Sequence, residues 1–234
     1  MTTQKIEHRI QPDERDNFSR AEFALYLPEN MTKTDHILCL IPGINEDGTQ
    51  WLSDEVWTAF AEKYKIPIFA SYFQVVEGFE LEKILDGLEP KVRYYAVTKG
   101  GSGNAFLEAL EACISKTKRP QLSSSRLLLF GYSAGGIFSH NFSIDYPQKV
   151  AAFVVNKGGA AYVRGSQDFF SIPGLFFLGE NDKIFRKNSI QSAYNEGASQ
   201  GAPWLLIRES GIGHGFGKSI ELSLEFFKGI ISKE

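Results

Sequence analysis

The sequence predicts one α/β domain, a mostly parallel eight-stranded sheet covered by helices on both faces. Three observations carry this expectation. Apolar runs of strand length alternate with segments of helical spacing along the chain. Several runs, such as Leu127-Leu128-Leu129-Phe130, are apolar without interruption, as strands buried on both faces are. Directly after that run comes Gly131-Tyr132-Ser133-Ala134-Gly135, and then an amphipathic segment: a strand, a sharp turn and a helix.

Taken in order, the candidate strands are Ile6–Ile10, Ala21–Leu27, His36–Ile41, Ile66–Tyr72, Arg126–Phe130, Val150–Val155, Leu175–Leu178 and Trp204–Ile207. Turn-prone polar residues separate the first two, which suits an antiparallel pair at the sheet edge; the later ones alternate with helices, as parallel strands do. Helical spacing appears at Leu52, Val56 and Phe60, at Phe106, Leu110 and Cys113, and at Phe216, Ile220, Leu224, Phe227 and Ile231. Behind Ser133, Phe138 and Phe142 lie one turn apart, and Pro147 stops that helix after Tyr146. The segment 73–97 is long for a connection; it reads as a surface loop with a short helix around Glu80–Leu88, or as a flap over a site. No repeat, low-complexity tract or linker divides the 234 residues, so 1–234 is read as a single domain.

Composition narrows the possible partners. A formal net charge of −3, with scattered basic residues, argues against nucleic acid. Neither a signal-peptide core nor a window of membrane-span length is present, so no membrane partner and a cytoplasmic location are expected. Cys39, in an apolar strand run, and Cys113, on the apolar side of a helix, read as buried thiols. Lys99-Gly100-Gly101-Ser102-Gly103-Asn104 opens a helix but lacks the Gly-Lys-Ser/Thr ending of a phosphate loop and reads as a helix N-cap. No histidine pair has metal-ligand spacing, and neither metal nor cofactor is expected.

The chemistry centres on Ser133. A serine at a strand-to-helix turn projects beyond the sheet edge, and the small residues Gly131 and Gly135 on either side give it room. A hydroxyl is a poor nucleophile at neutral pH, so it needs a base and a group to orient that base. Of the four histidines, His8 lies near the N-terminus, His36 begins a strand on the N-terminal side of the fold, and His140 lies two turns into the helix behind Ser133, pointing away. His214, in the glycine-rich loop Gly211–Gly217 after the last strand, is the candidate base. The orienting acid should follow another parallel strand between the two; Asp182 is preferred, with Glu180 as the alternative. Developing negative charge on a substrate oxygen needs two donors: the Ala134 N–H, and one from Pro42-Gly43-Ile44-Asn45, with Ile44 favoured and Asn45 the alternative.

With Ser133, Asp182 and His214 in that order, each after a candidate strand, the chain resembles the α/β-hydrolase superfamily over nearly its whole length. The stretch from Arg126 to Gly136, with Tyr146-Pro147 and Val150-Ala151-Ala152-Phe153 after it, resembles the compact esterase branch. That branch includes polyhydroxybutyrate depolymerase-like, feruloyl-esterase-like and dienelactone-hydrolase-like proteins. Many of those carry His-Gly where this chain has Pro42-Gly43, and dienelactone hydrolases use a cysteine where this chain has Ser133. The resemblance implies cofactor-free hydrolysis of a small or medium carboxylic ester through an acyl-enzyme. Trp51, Tyr132, Phe185 and Phe216 flank these loops and are candidates for the acyl or alcohol pocket, or for packing. The same residues leave open a thioesterase, a peptidase, an acyltransferase or a binding protein, and the sequence leaves the oligomeric state open.

Overall fold

The computed structural model describes residues 4–31, 34–80, 94–158 and 165–232. One sheet runs through it in the order β1-β2-β4-β3-β5-β6-β7-β8, with β1 Gln4–Ile10, β2 Arg20–Leu27, β3 His36–Ile41, β4 Ile68–Gln74, β5 Arg126–Tyr132, β6 Val150–Asn156, β7 Gly174–Gly179 and β8 Trp204–Glu209. β1 pairs antiparallel with β2, and β2 antiparallel with β4; every later pairing is parallel. The N-terminal hairpin therefore forms one edge, as expected from its polar turn, and the strands that alternate with helices form the parallel body.

The helices are α1 Glu55–Tyr64, α2 Ser102–Ser115, α3 Ala134–Asp145, α4 Gln167–Phe170, α5 Ile184–Ser199 and α6 Ser219–Ile231. Because strand side chains alternate between faces, the apolar runs feed two cores. Leu127, Leu129, Phe153, Val155 and Phe176 face α2, α3, α4 and α5, whereas Leu128, Phe130, Val154, Leu175 and Phe177 face α1 and α6. Helix α3 lies against the central strands β5 and β6 and is buried nearly all round.

One helix was not expected, and two boundaries need correction. Helix α5 shows no run of large apolar residues in the sequence, because its buried positions are Ile190, Ala193 and Gly197. Gly197 lies so close to Trp204 that an added Cβ would sit 2.0 Å from the ring. The last helix starts at Ser219, not Phe216, because Gly217 turns the chain in the left-handed region at φ +55. Strand β4 starts two residues later than the pattern suggested, after Lys65 ends α1 with φ 54.

Within the segment 73–97, residues 81–93 lie outside the described residues, and with them most of the expected helix and flap. The flanks are fixed: Tyr94 and Tyr95 are buried, and Phe79 packs on Tyr94. Cys39 and Cys113 are buried free thiols. Among the described residues, no helix is long and apolar enough to cross a membrane.

Candidate active site

Ser133 occupies the turn between β5 and α3 with φ 53 and ψ −117, a conformation that side chains other than glycine seldom adopt. The backbone around the turn is closely packed. A Cβ on Gly131 would lie 2.0 Å from the Gly135 carbonyl, and one on Gly135 would lie 1.9 Å from the Ile41 carbonyl. The Ser133 N–H donates to the Asn156 carbonyl at 2.9 Å, tying the turn to β6. Ala134 begins the helix, so its N–H belongs to the positive end of α3, whose first amides have no partner within the helix.

His214 lies in the loop between β8 and α6, and its Nε2 is 2.9 Å from Ser133 Oγ. Its Nδ1 is 2.8 Å from Asp182 Oδ2, after β7. The loops carrying the acid and the histidine are joined where Asn181 donates its N–H to the Ile212 carbonyl at 2.9 Å. Asp182 is buried, whereas Glu180 is exposed. The other Asp182 oxygen accepts from the Lys183 N–H at 2.7 Å and from Arg186 Nη1 at 3.0 Å. Burial alone would raise the Asp182 pKa, but the hydrogen bonds from His214, Lys183 and Arg186 outweigh it and hold the carboxyl below its ordinary value. Arg186 escaped the sequence reading; its signal is the four-residue spacing from Asp182 into the first turn of a helix.

The loop after β3 abuts the start of α3, since a Cβ on Gly135 would also lie 2.6 Å from the Pro42 carbonyl. Ile44 is half-buried at that loop. Gly43 donates its N–H to Glu46 Oε2 at 3.0 Å, and Asn45, at φ 56, accepts the Val75 N–H on its side-chain oxygen at 3.1 Å.

The four aromatic candidates divide into two groups. Trp51, Tyr132 and Phe216 pack together, Trp51 edge-on to Phe216 with ring centroids 5.8 Å apart and Tyr132 tilted against Phe216 at 4.2 Å, and Tyr132 donates its hydroxyl to the His214 carbonyl at 2.5 Å. Phe185 stands apart from them, 39 % exposed, with the Arg186 guanidinium 5.0 Å from its ring centre. Burial pushes the Tyr132 hydroxyl pKa up, reinforced by Glu46 and Asp182 and eased by Arg186. His140 points into the opposite core, ringed by Phe153, Phe169, Phe176 and Trp204. Among the described residues, no cluster of three His, Cys, Asp or Glu side chains has the arrangement of a metal site.

Solved structures share this architecture along nearly the whole chain. A poly(3-hydroxybutyrate) depolymerase from Bordetella parapertussis is 18% identical, with a TM-score of 0.66 over 97% of this chain and 90% of its own. An S-formylglutathione hydrolase from Agrobacterium tumefaciens is 12% identical, with a TM-score of 0.69 over 98% of this chain and 95% of its own. A dienelactone hydrolase-like promiscuous phosphotriesterase from metagenomic libraries is 15% identical, with a TM-score of 0.66 over 99% of this chain and 98% of its own. No protein-family model matches the sequence, and no curated protein matches it. At such identities the likeness is one of fold: the chain adopts the α/β-hydrolase fold.

Proposed function

We propose that this protein hydrolyses small or medium carboxylic esters through an acyl-enzyme on Ser133. The observation that carries the reading is the continuous line from Asp182 through His214 to Ser133, with both links within hydrogen-bond distance, at the positive end of α3. In this reading His214 takes the hydroxyl proton as Ser133 attacks the carbonyl carbon, then gives it to the departing alcohol. Water attacks the acyl-enzyme with His214 again as base, which releases the acid and restores the serine. Asp182 keeps Nδ1 protonated, so that Nε2 faces Ser133 with its lone pair.

The oxyanion is assigned to the N–H groups of Ala134 and Ile44, an assignment supported by the contact between the Pro42 loop and the first turn of α3. Phe185 is the best supported substrate contact of the four aromatics, because its ring is exposed three residues after Asp182. For Trp51, Tyr132 and Phe216, mutual packing supports a role as the wall beneath the histidine loop.

The test is labelling with a fluorophosphonate probe, followed by turnover of a panel of esters, thioesters and peptides. The expected result is a label on Ser133 and fastest turnover of an ester. Failure to take the probe, together with no turnover of any ester, overturns the reading; faster cleavage of thioesters or peptides moves it to a different leaving group.

A further inference from the structure

Lys157, directly after β6, is fully buried. An ammonium group out of water is costly unless it is paired and hydrogen-bonded, and here its hydrogen-bond partners lead to the histidine loop. The Lys157 Nζ meets the carboxylate of Glu209 at the end of β8, donates to Asn156 Oδ1 at 3.2 Å and reaches the Phe216 carbonyl at 3.4 Å. The second Glu209 oxygen accepts the Lys218 N–H at 2.7 Å, and Asn156 Nδ2 donates to Ser219 Oγ at 2.7 Å. Phe216, Lys218 and Ser219, which bring the loop back from His214 into α6, are thus held by side chains at the ends of β6 and β8.

The same short stretch holds the nucleophile on its other side. The Asn156 carbonyl accepts the Ser133 N–H, and a Cβ on Gly158 would lie 2.7 Å from the Ser133 carbonyl. A buried ion pair contributes little to stability compared with apolar side chains of similar volume, so stability alone gives a weak account of this one.

We propose that Lys157 and Glu209 form a positioning pair that fixes the His214 loop against the sheet and so sets the reach of Nε2 to Ser133 Oγ. Its kinetic consequence rests on the ester-hydrolase reading; its structural consequence does not. The test compares the wild type with K157M/E209M, which removes both charges together, because K157M alone strands a buried carboxylate and is expected to fold poorly.

The double variant should melt at or above the wild-type temperature. Its kcat should fall ten- to a hundredfold, the scale of a misplaced catalytic group, with KM within about twofold. Nitrogen NMR of the free protein should show the His214 ring passing from a single tautomer, protonated at Nδ1, to exchange between two. A folded double variant with wild-type kcat and an unchanged His214 spectrum overturns the proposal, and so does one that unfolds, since the pair is then merely structural. If the wild type neither takes the probe nor cleaves esters, the hydrolase reading fails, and the His214 spectrum still decides the role of the pair.

Discussion

The serine turn and the histidine loop meet at two hydrogen bonds, Ser133 to the His214 ring and Tyr132 to its carbonyl, but are held by different forces. Backbone crowding fixes Ser133: glycines at 131 and 135 are packed so closely that a single methyl group would collide with a carbonyl. Polar side chains hold His214: Tyr132 on its carbonyl, Glu209 on the Lys218 amide and Asp182 on the ring itself. Steric exclusion acts as an all-or-none constraint, whereas each hydrogen bond contributes a net ~0.5–1.5 kcal/mol and can be removed singly. The turn should therefore tolerate little, and the loop should be adjustable in steps.

The largest expected effect is at the serine itself. Ser133→Ala should lower kcat by up to about 10⁶-fold if the three side chains act as a unit, with thermal unfolding unchanged. Ester turnover by the purified variant above a few per cent of wild type would remove Ser133 from the chemistry. Next comes the acid: Asp182→Asn should cost about 10⁴-fold in kcat through loss of the His214 tautomer, whereas the exposed Glu180→Gln should cost less than tenfold. Equal losses in parallel assays would mean that the orienting carboxylate is not Asp182.

A third prediction sharpens the contrast from the turn's side. The helix that fixes Ser133 also buries His140, and burial, partly offset by Asn141, pushes its pKa from 6.5 down to about 4. Between those values the unfolded chain binds a proton that the folded chain refuses, so stability falls as pH drops through this window and levels off below it. The loss should reach about 2–3 kcal/mol by pH 4.5. Urea unfolding of the wild type and His140→Leu at pH 7 and pH 4.5 measures it, and equal acid sensitivity of the two proteins would exclude His140 as the cause. The smallest effect tests the loop: Tyr132→Phe removes one tether and should lower kcat by less than tenfold, with Tm little changed. A loss near that of Asp182→Asn would show that the loop is as intolerant as the turn.

The parallel body of the fold was legible because strands buried on both faces have few sequences open to them, as in Val150-Ala151-Ala152-Phe153-Val154-Val155. Ser133 and His214 could be singled out because glycines surround both, the one crowded and the other on a loop. Helix α5 was not legible, since Ala193 and Gly197 bury little apolar surface and leave no periodic stripe. Lys157 and Glu209 were overlooked for a different reason. A charge at the end of a strand ordinarily faces solvent, and only the partner brought by a distant strand reveals that these two do not.

Gly135 also bears on how far this chain could drift in sequence while keeping its shape. The three solved structures compared above share its architecture but match it at only 12 to 18% of positions. Core side chains can be exchanged for others of similar volume because neighbours readjust around them. The contact between Gly135 and the Ile41 carbonyl offers no such freedom, since the nearest atom belongs to the main chain of β3 and cannot rotate away. A lineage carrying this turn could replace most of its interior gradually, yet any larger residue at position 135 would demand a shift of the central sheet in the same step.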